Sequence, residues 1–398
     1  MPDKPLKGVV VCEYGQHGAG SACGKVLADW GADVVKVEPL WGCPSRMSGA
    51  MVGLSTKPDE NAHFELINSG KRSIALNFKT KEGLEVMDKL IARSNIFCSN
   101  YRLGSLKKYG LDYETLSQKY PSLIWGHLSG YGPVGPKSGD PGYDNVSYWA
   151  SSGLIMDPVD PNARPRGHAF GGGDVMTGFV LASSLAACLY QQATTGRGQS
   201  VYTSLFGAGI WQDSCVIQAA AEGNFGKSER DPYGYYRQCK DGVWFTMGLM
   251  DFPKYGPLMA RLVGREDLTE VLSSRALTSQ HREELCRIYD EFFARYTWAE
   301  VDEMLTAIDM VHNKVQRPGE LAHDPQARAN GYVWEHELRG GKKTTMVSTP
   351  VKFGRSEPIE TTFAPLIGEH TTQILQELGY AQDEIDQLFA AGAVKEDH

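Results

Sequence analysis

Asp174 ends the run Gly171-Gly172-Gly173-Asp174 and leads into an apolar, helix-like stretch from Val175 to Tyr190. Three residues without side chains let a bulky ligand approach the backbone and permit positive φ. An aspartate there suits a helix N-cap, and the helix N-terminus favours its negative charge. A carboxylate kept ionised and accessible can attack a carbonyl as a nucleophile. On those four residues alone the bland alternative, a plain capping aspartate after a glycine turn, is the better fit.

Other loops offer ligand contacts. Gly15-Gln16-His17-Gly18-Ala19-Gly20 resembles a dinucleotide turn without matching G-x-G-x-x-G, and Glu38 ends the next strand where a ribose-binding acid would sit. No other nicotinamide signature accompanies them. There is no G-x-x-x-x-G-K-[ST] phosphate loop and no G-x-S-x-G elbow. Lys71, Arg72, Arg102, Lys107, Lys108 and Lys137 fall near strand ends or in loops, where they could bind phosphates, although a solvated surface explains each singly. His17 could serve as a base, whereas His127, inside a strand, reads as a core histidine. The aromatics Tyr143, Tyr148, Trp149 and Trp211 could line an apolar acid pocket or simply pack the core.

The elements that must position these residues follow an α/β pattern. Apolar strands at Gly8–Glu13, Asp33–Glu38, Ser73–Asn77, Asn95–Ser99, Leu123–Leu128 and Gln199–Ser204 alternate with helices at Ser21–Trp30, Lys81–Arg93, Leu106–Tyr109, Tyr113–Lys119 and Val175–Tyr190. That alternation predicts a doubly wound, Rossmann-like parallel sheet, in which ligands sit beyond the carboxyl ends of strands. The loop from Ser129 to Asp144, with five glycines and three prolines, follows a strand directly. Leu205–Ala221 reads as one long helix. The texture then changes to antiparallel strands at Tyr233–Gln238 and Gly242–Met247 followed by helices, the mark of a smaller α+β domain. A hairpin at Tyr332–Leu338 and Thr344–Val351 and helices at Glu369–Leu378 and Gln382–Ala390 return to the large domain. The expected division is 1–222 and 321–398 for the split large domain and 223–320 for the insert.

With 398 residues the chain is too long for one ordinary core. Hydrophobic residues at 41% and charged residues at 22% describe a soluble globular protein. Its 44 glycines exceed the usual share of about 7%. A net charge of −8 argues against a nucleic-acid surface. No continuous apolar run of about 18 residues and no signal-peptide core is visible, so no membrane association is expected. Eight scattered cysteines, with no zinc spacing, read as reduced thiols in a cytoplasmic protein that needs no metal.

The sequence resembles the family III CoA-transferases, the formyl-CoA transferase and carnitine CoA-transferase group, along nearly its whole length. Leu27-Ala28-Asp29-Trp30-Gly31-Ala32-Asp33-Val34-Val35-Lys36-Val37-Glu38-Pro39 carries the resemblance first, then Asn68 to Asn77, Asn100 to Gly104 and Gly110 to Glu114. Gly130-Tyr131-Gly132 through Pro141-Gly142-Tyr143-Asp144, Thr195 to Gln199 and Gly368-Glu369-His370-Thr371 complete it. The resemblance implies that Asp174, with Gly178 completing Gly-Asp-x-x-x-Gly, is the nucleophile that moves CoA from an acyl-CoA donor to a free acid through anhydride and thioester intermediates. It places Gln16 beside that nucleophile. It puts Asn100, Tyr101, Lys108 and Tyr109 at CoA, and we add Lys71, Lys137 and Tyr143 as further CoA contacts. Lys108 stands where an arginine is common and Tyr101 where phenylalanine is, departures that change the contact chemistry. The resemblance further implies an interlocked homodimer, CoA and acyl-CoA as substrates, and no permanently bound cofactor.

Two other functions fit the same fold. An α-methylacyl-CoA racemase would carry a catalytic histidine where this chain has Tyr143. A non-enzymatic acyl-CoA-binding protein would not need Asp174. Within the transferases, Gly130 to Pro136 and Pro141 to Asp144 look most like the branch acting on 2-hydroxy acids and aryl-acrylates, while carnitine, bile-acid and dicarboxylate substrates stay open.

Overall fold

The computed structural model describes residues 4–156, 162, 164–165, 169–224, 232–249, 251–354 and 362–398. Two compact units divide the chain: Met1–Asp157, Asn162–Ala221 and Arg328–His398 form the first, and the second spans Glu222–Ala327 together with Pro158–Pro161. The return to the first unit thus falls after Ala327 rather than after residue 320.

The first unit is built on a mixed, mostly parallel sheet. Its strands are β1 (Val10–Tyr14), β2 (Asp33–Glu38), β3 (Arg72–Leu76), β4 (Ile96–Ser99), β5 (Ile124–Ser129) and β6 (Ser200–Ser204), all parallel, in the order 3-2-1-4-5-6. A short strand at Val394–Lys395 pairs antiparallel with β3 and covers that edge. The helices are α1 (His17–Asp29), α2 (Ala62–Asn68), α3 (Lys81–Arg93), α4 (Leu103–Lys108), α5 (Tyr113–Lys119) and α6 (Gly172–Thr195).

Both sheet faces are buried, as a doubly wound fold requires. Because successive side chains point to opposite faces, Val11, Val34, Ile96 and Ile124 meet α1 and α6 through Cys23, Val26, Leu27, Leu181 and Leu185. Their neighbours Cys12, Val35, Phe97 and Trp125 meet α3 through Val86, Met87, Leu90 and Ile91. Small residues bring α1 and α6 together: a Cβ on Gly178 would lie 2.7 Å from the Ala22 Cβ and 2.8 Å from the Ala19 carbonyl.

Three expectations change. The stretch Leu205–Ala221 is two helices, α7 (Leu205–Gln212) and α8 (Ser214–Ala221), joined at Asp213. α6 is longer than Val175–Tyr190, and its 24 residues are long and apolar enough to cross a membrane. One face of it nevertheless fills the core under the sheet, through Thr177, Gly178, Leu181, Ala182 and Leu185. Glu38, the conceivable ribose-binding acid, is fully buried. It accepts from Arg46 Nη2 at 2.6 Å, Ser73 Oγ at 2.9 Å and the Cys43 N–H at 3.0 Å, and so has no room for a ribose.

The second unit has an antiparallel three-stranded sheet of Arg237–Gln238, Trp244–Gly248 and Val311–Lys314. Phe245 and Met247 pack there with Met259, Leu285, Tyr289, Phe293 and Leu305 from its helices.

Candidate active site

Strand order reverses between β1 and β4, and ligands in open α/β sheets bind at such a switch point. Gln16 and His17 leave the end of β1 there; Asn100 and Tyr101 leave β4. A cleft of about 540 Å³ opens at this end of the sheet, lined by Gln16, His17, Asn100, Tyr101, Tyr143 and Asp174 among others.

Asn100 fixes the first turn. Its amide oxygen accepts from the Gln16 N–H at 2.8 Å, and its amide nitrogen donates to the Gln16 carbonyl at 2.7 Å. Gly20 leaves the space for this clamp, since a Cβ there would stand 2.7 Å from Asn100 Oδ1. The Asn100 amide is therefore spent on the backbone of Gln16. The Gln16 side chain has no hydrogen-bond partner among the described residues.

Asp174 is not the helix cap. Gly171, at φ 69°, holds that position, and Asp174 is the third residue of α6. Its N–H donates to Asp144 Oδ1 at 2.9 Å, and Asp144 Oδ2 accepts from Trp149 Nε1 at 3.1 Å. On the other side the carboxylate abuts the first turn of α1: a Cβ on Gly18 would stand 3.0 Å from both Cβ and Cγ of Asp174. The N–H groups of that turn lack intrahelical partners and carry partial positive charge. Burial pushes the Asp174 carboxyl up to about 7, and the negative charge of Asp144 adds to the rise. A carboxylate so placed is poorly solvated, which sharpens its nucleophilicity.

The other expected contacts separate. Tyr101 lines the cleft and stacks on Tyr14 with centroids 4.2 Å apart. Tyr143 also lines it, with its ring edge-on to His17 at 5.8 Å. Lys108, on α4, is exposed, and Tyr109 packs against Phe78 at 5.5 Å; neither lines the cleft. Lys137 is exposed on the glycine-rich loop, its ammonium 5.1 Å from the Tyr131 ring centre. Lys71 is inside the protein, its ammonium 2.7 Å from Glu13 Oε2, 2.7 Å from the Ser21 carbonyl and 3.0 Å from Asn68 Oδ1. Of the aromatic residues expected around an acid pocket, Tyr148 is core and Trp211 is exposed on α7.

Two residues of the site escaped the sequence reading: Asp144 supplies the hydrogen bond that sets Asp174, and Gly18 gives it room. Of the lysines and arginines expected at phosphates, Arg102 lines the cleft. The Gly-Tyr-Asp run was visible, but not the contact Asp144 makes thirty positions on.

Comparison with known proteins adds to this geometry. Residues 6–371 match the family model described as CoA-transferase family III. The chain is 34% identical over 389 residues to an (R)-2-hydroxy-4-methylpentanoate CoA-transferase of Clostridioides difficile, covering 96% of this chain and 98% of that protein. It is 30% identical over 393 residues to a cinnamoyl-CoA:phenyllactate CoA-transferase of Clostridium sporogenes, covering 96% and 95%. Among solved structures it superposes on a CAIB/BAIF family protein from Brucella suis with a TM-score of 0.79 at 27% identity, covering 94% of this chain and all of that one.

Proposed function

The chain belongs to CoA-transferase family III, and from that premise we propose that Asp174 is the nucleophile of a CoA transfer to 2-hydroxy or aryl and branched organic acids. The observation that carries this reading is the Asp174 carboxylate, half-buried in the cleft between Asp144 and the first turn of α1. The substrate class rests on the names of the two clostridial relatives.

The steps balance as follows. The Asp174 carboxylate attacks the thioester carbonyl of the donor; the C–S bond breaks, leaving an acyl-aspartyl anhydride and CoA thiolate. The thiolate attacks the aspartyl carbonyl, forming aspartyl-CoA and releasing the donor acid as carboxylate. The acceptor carboxylate attacks that carbonyl, giving a new anhydride and thiolate. Attack of the thiolate on the acceptor's carbonyl then yields the new acyl-CoA and restores Asp174. Each addition builds an oxyanion beside the N–H groups of the α1 turn, and the free Gln16 amide is placed to orient the intermediates. Bound thiolate must be kept from escaping and water kept out, because hydrolysis of either intermediate wastes the activated acyl group.

CoA runs along the cleft past Tyr101, Arg102 and Tyr143, with Lys108 and Lys137 beyond its rim. A second copy of the chain covers the apolar side of α6 and α7, where Val175, Met176, Val180, Tyr190 and Trp211 are exposed, Trp211 at 79%. The eight thiols, none in a disulfide, suit a reducing cytoplasm.

Intact-protein mass spectrometry after mixing with a panel of acyl-CoAs, followed by peptide mapping, tests the reading. A CoA-sized adduct on the peptide holding Asp174 is expected, with the productive donors defining the acyl class. No adduct from any donor, with solvent deuterium entering C2 of an acyl-CoA, would replace the transferase by a racemase.

A further inference from the structure

His17 is the residue of the site that the transfer steps leave unused. It lines the same cleft as Asp174, follows Gln16 in the chain and precedes Gly18, whose backbone abuts the Asp174 carboxylate. Its ring is half-buried, stands edge-on to Tyr143 at 5.8 Å, and has no hydrogen-bond partner among the described residues. Its ring nitrogens are not sealed in the protein interior, so a ligand in the cleft can reach them. The backbone points the same way. His17 has φ 56°, a left-handed conformation that costs a non-glycine residue on the order of 1 kcal/mol and collects at functional sites.

The imidazole favours its neutral form. Burial lowers its basicity, and the N-terminus of α1 works in the same direction. A neutral ring is a weak partner for a carboxylate but suits a hydroxyl, which can accept from the protonated nitrogen or donate to the bare one. In a 2-hydroxyacyl group the hydroxyl sits one carbon from the reacting carbonyl. A side chain rooted next to the backbone that faces the Asp174 carboxylate is in place to meet that position and not the far end of the acyl chain.

We propose that His17 reads the 2-hydroxyl of the acyl group under transfer, and so sets the preference for 2-hydroxy acids over their deoxy analogues. The proposal rests on Asp174 as the nucleophile. His17 takes no part in bond making; it is a specificity residue.

The test uses two acyl-CoAs of one skeleton, 2-hydroxy-4-methylpentanoyl-CoA and 4-methylpentanoyl-CoA, with kcat/KM measured for each. Two variants tolerate the left-handed backbone: His17→Gly removes the ring, and His17→Asn keeps a donor and an acceptor. His17→Gly is expected to lose roughly 10- to 100-fold on the hydroxy substrate and less than about threefold on the deoxy one. His17→Asn recovers part of the difference. Equal losses on both substrates, or a hydroxy-to-deoxy ratio unchanged from the parent, overturn the proposal. Deuterium exchange at C2 that disappears in His17→Gly also overturns it, since the ring would then be a base. The covalent adduct is followed in the same samples. An adduct with an unchanged ratio removes only the role of His17, whereas no adduct in the parent enzyme removes the Asp174 reading and this inference with it.

Discussion

The backbone N–H of Asp174 donates to Oδ1 of Asp144 at 2.9 Å, so the hydrogen bond that fixes the proposed nucleophile also sets a second carboxylate against it. Position and proton affinity are thereby coupled. With Asp174 raised to about 7 by burial and by Asp144, the free enzyme carries a substantial protonated fraction at neutral pH, and the protonated acid cannot attack. We expect kcat/KM to rise with pH along a limb centred near that value. Asp144→Asn keeps an amide oxygen as acceptor but removes the charge, so the limb moves to lower pH, by less than burial has raised it. A pH–rate profile of the two proteins decides this; a limb that stays put in Asp144→Asn would mean that burial alone sets it.

The same shift has a cost in stability. A carboxyl whose folded value, about 7, exceeds its ordinary value of 3.8 contributes stability that is fully present below 3.8 and is lost as pH rises through 7. Asp174→Asn cannot ionise and escapes the loss. The variant is expected to melt close to the parent near pH 4 and above it at about pH 8, by up to about 4 kcal/mol, or several degrees. Calorimetry at both pH values checks the sign. A variant that is less stable at the higher pH would show the carboxylate to be well satisfied where it sits.

Much of this was legible in the residues. The alternation of short apolar strands with amphipathic helices requires a parallel sheet, and the paired faces seen in Val11 with Cys12 or Ile96 with Phe97 are the period-2 pattern made solid. Asp174 stood out because glycine runs before a helix are local features. What escaped notice depends on distance in the chain. Asp144 and Asp174 meet only because a turn of helix at Asp144–Ala150 returns to the start of α6. Lys71 reads like a surface cation near a strand end, yet it points inward because Glu13, on a strand nearly sixty residues earlier, is buried behind it. Asn100 reads as a ligand contact; it lines the cleft, and its amide is also the clamp on Gln16. In each case the partner, and not the residue type, decided the role.

Gly18 separates space from chemistry. A Cβ there would stand 3.0 Å from Cβ and Cγ of Asp174, with the carboxylate closer still. Alanine is otherwise the better helix residue. Gly18→Ala is therefore expected to fold and melt near the parent, while the proposed nucleophile Asp174 is pushed by a fraction of an ångström to about 1 Å and kcat falls roughly 100-fold. Steady-state kinetics beside a thermal melt measure both. Full activity in Gly18→Ala would show that Asp174 has a second productive position.

Lys71 offers the sharpest separation between a binding role and a structural one. Its ammonium is 2.7 Å from Glu13 Oε2, while Lys36 holds the other oxygen of the same carboxylate at 2.7 Å, and all three side chains are fully buried. Removing one partner of a buried ion pair costs about 3 to 5 kcal/mol, because the remaining charge is left without compensation. Here Lys36 still compensates Glu13, so Lys71→Met, which refills most of the volume, is expected near the lower end, about 3 kcal/mol. The cluster also braces the turn that carries Gln16, since Lys36 Nζ reaches toward the Gly15 carbonyl at 3.4 Å and Lys71 donates to the carbonyl of Ser21 in α1. The folded fraction of the variant should bind acyl-CoA with an unchanged KM, while its kcat drops modestly as the turn loosens. A KM raised tenfold with the melting temperature unmoved would reverse the assignment and return Lys71 to the CoA phosphates.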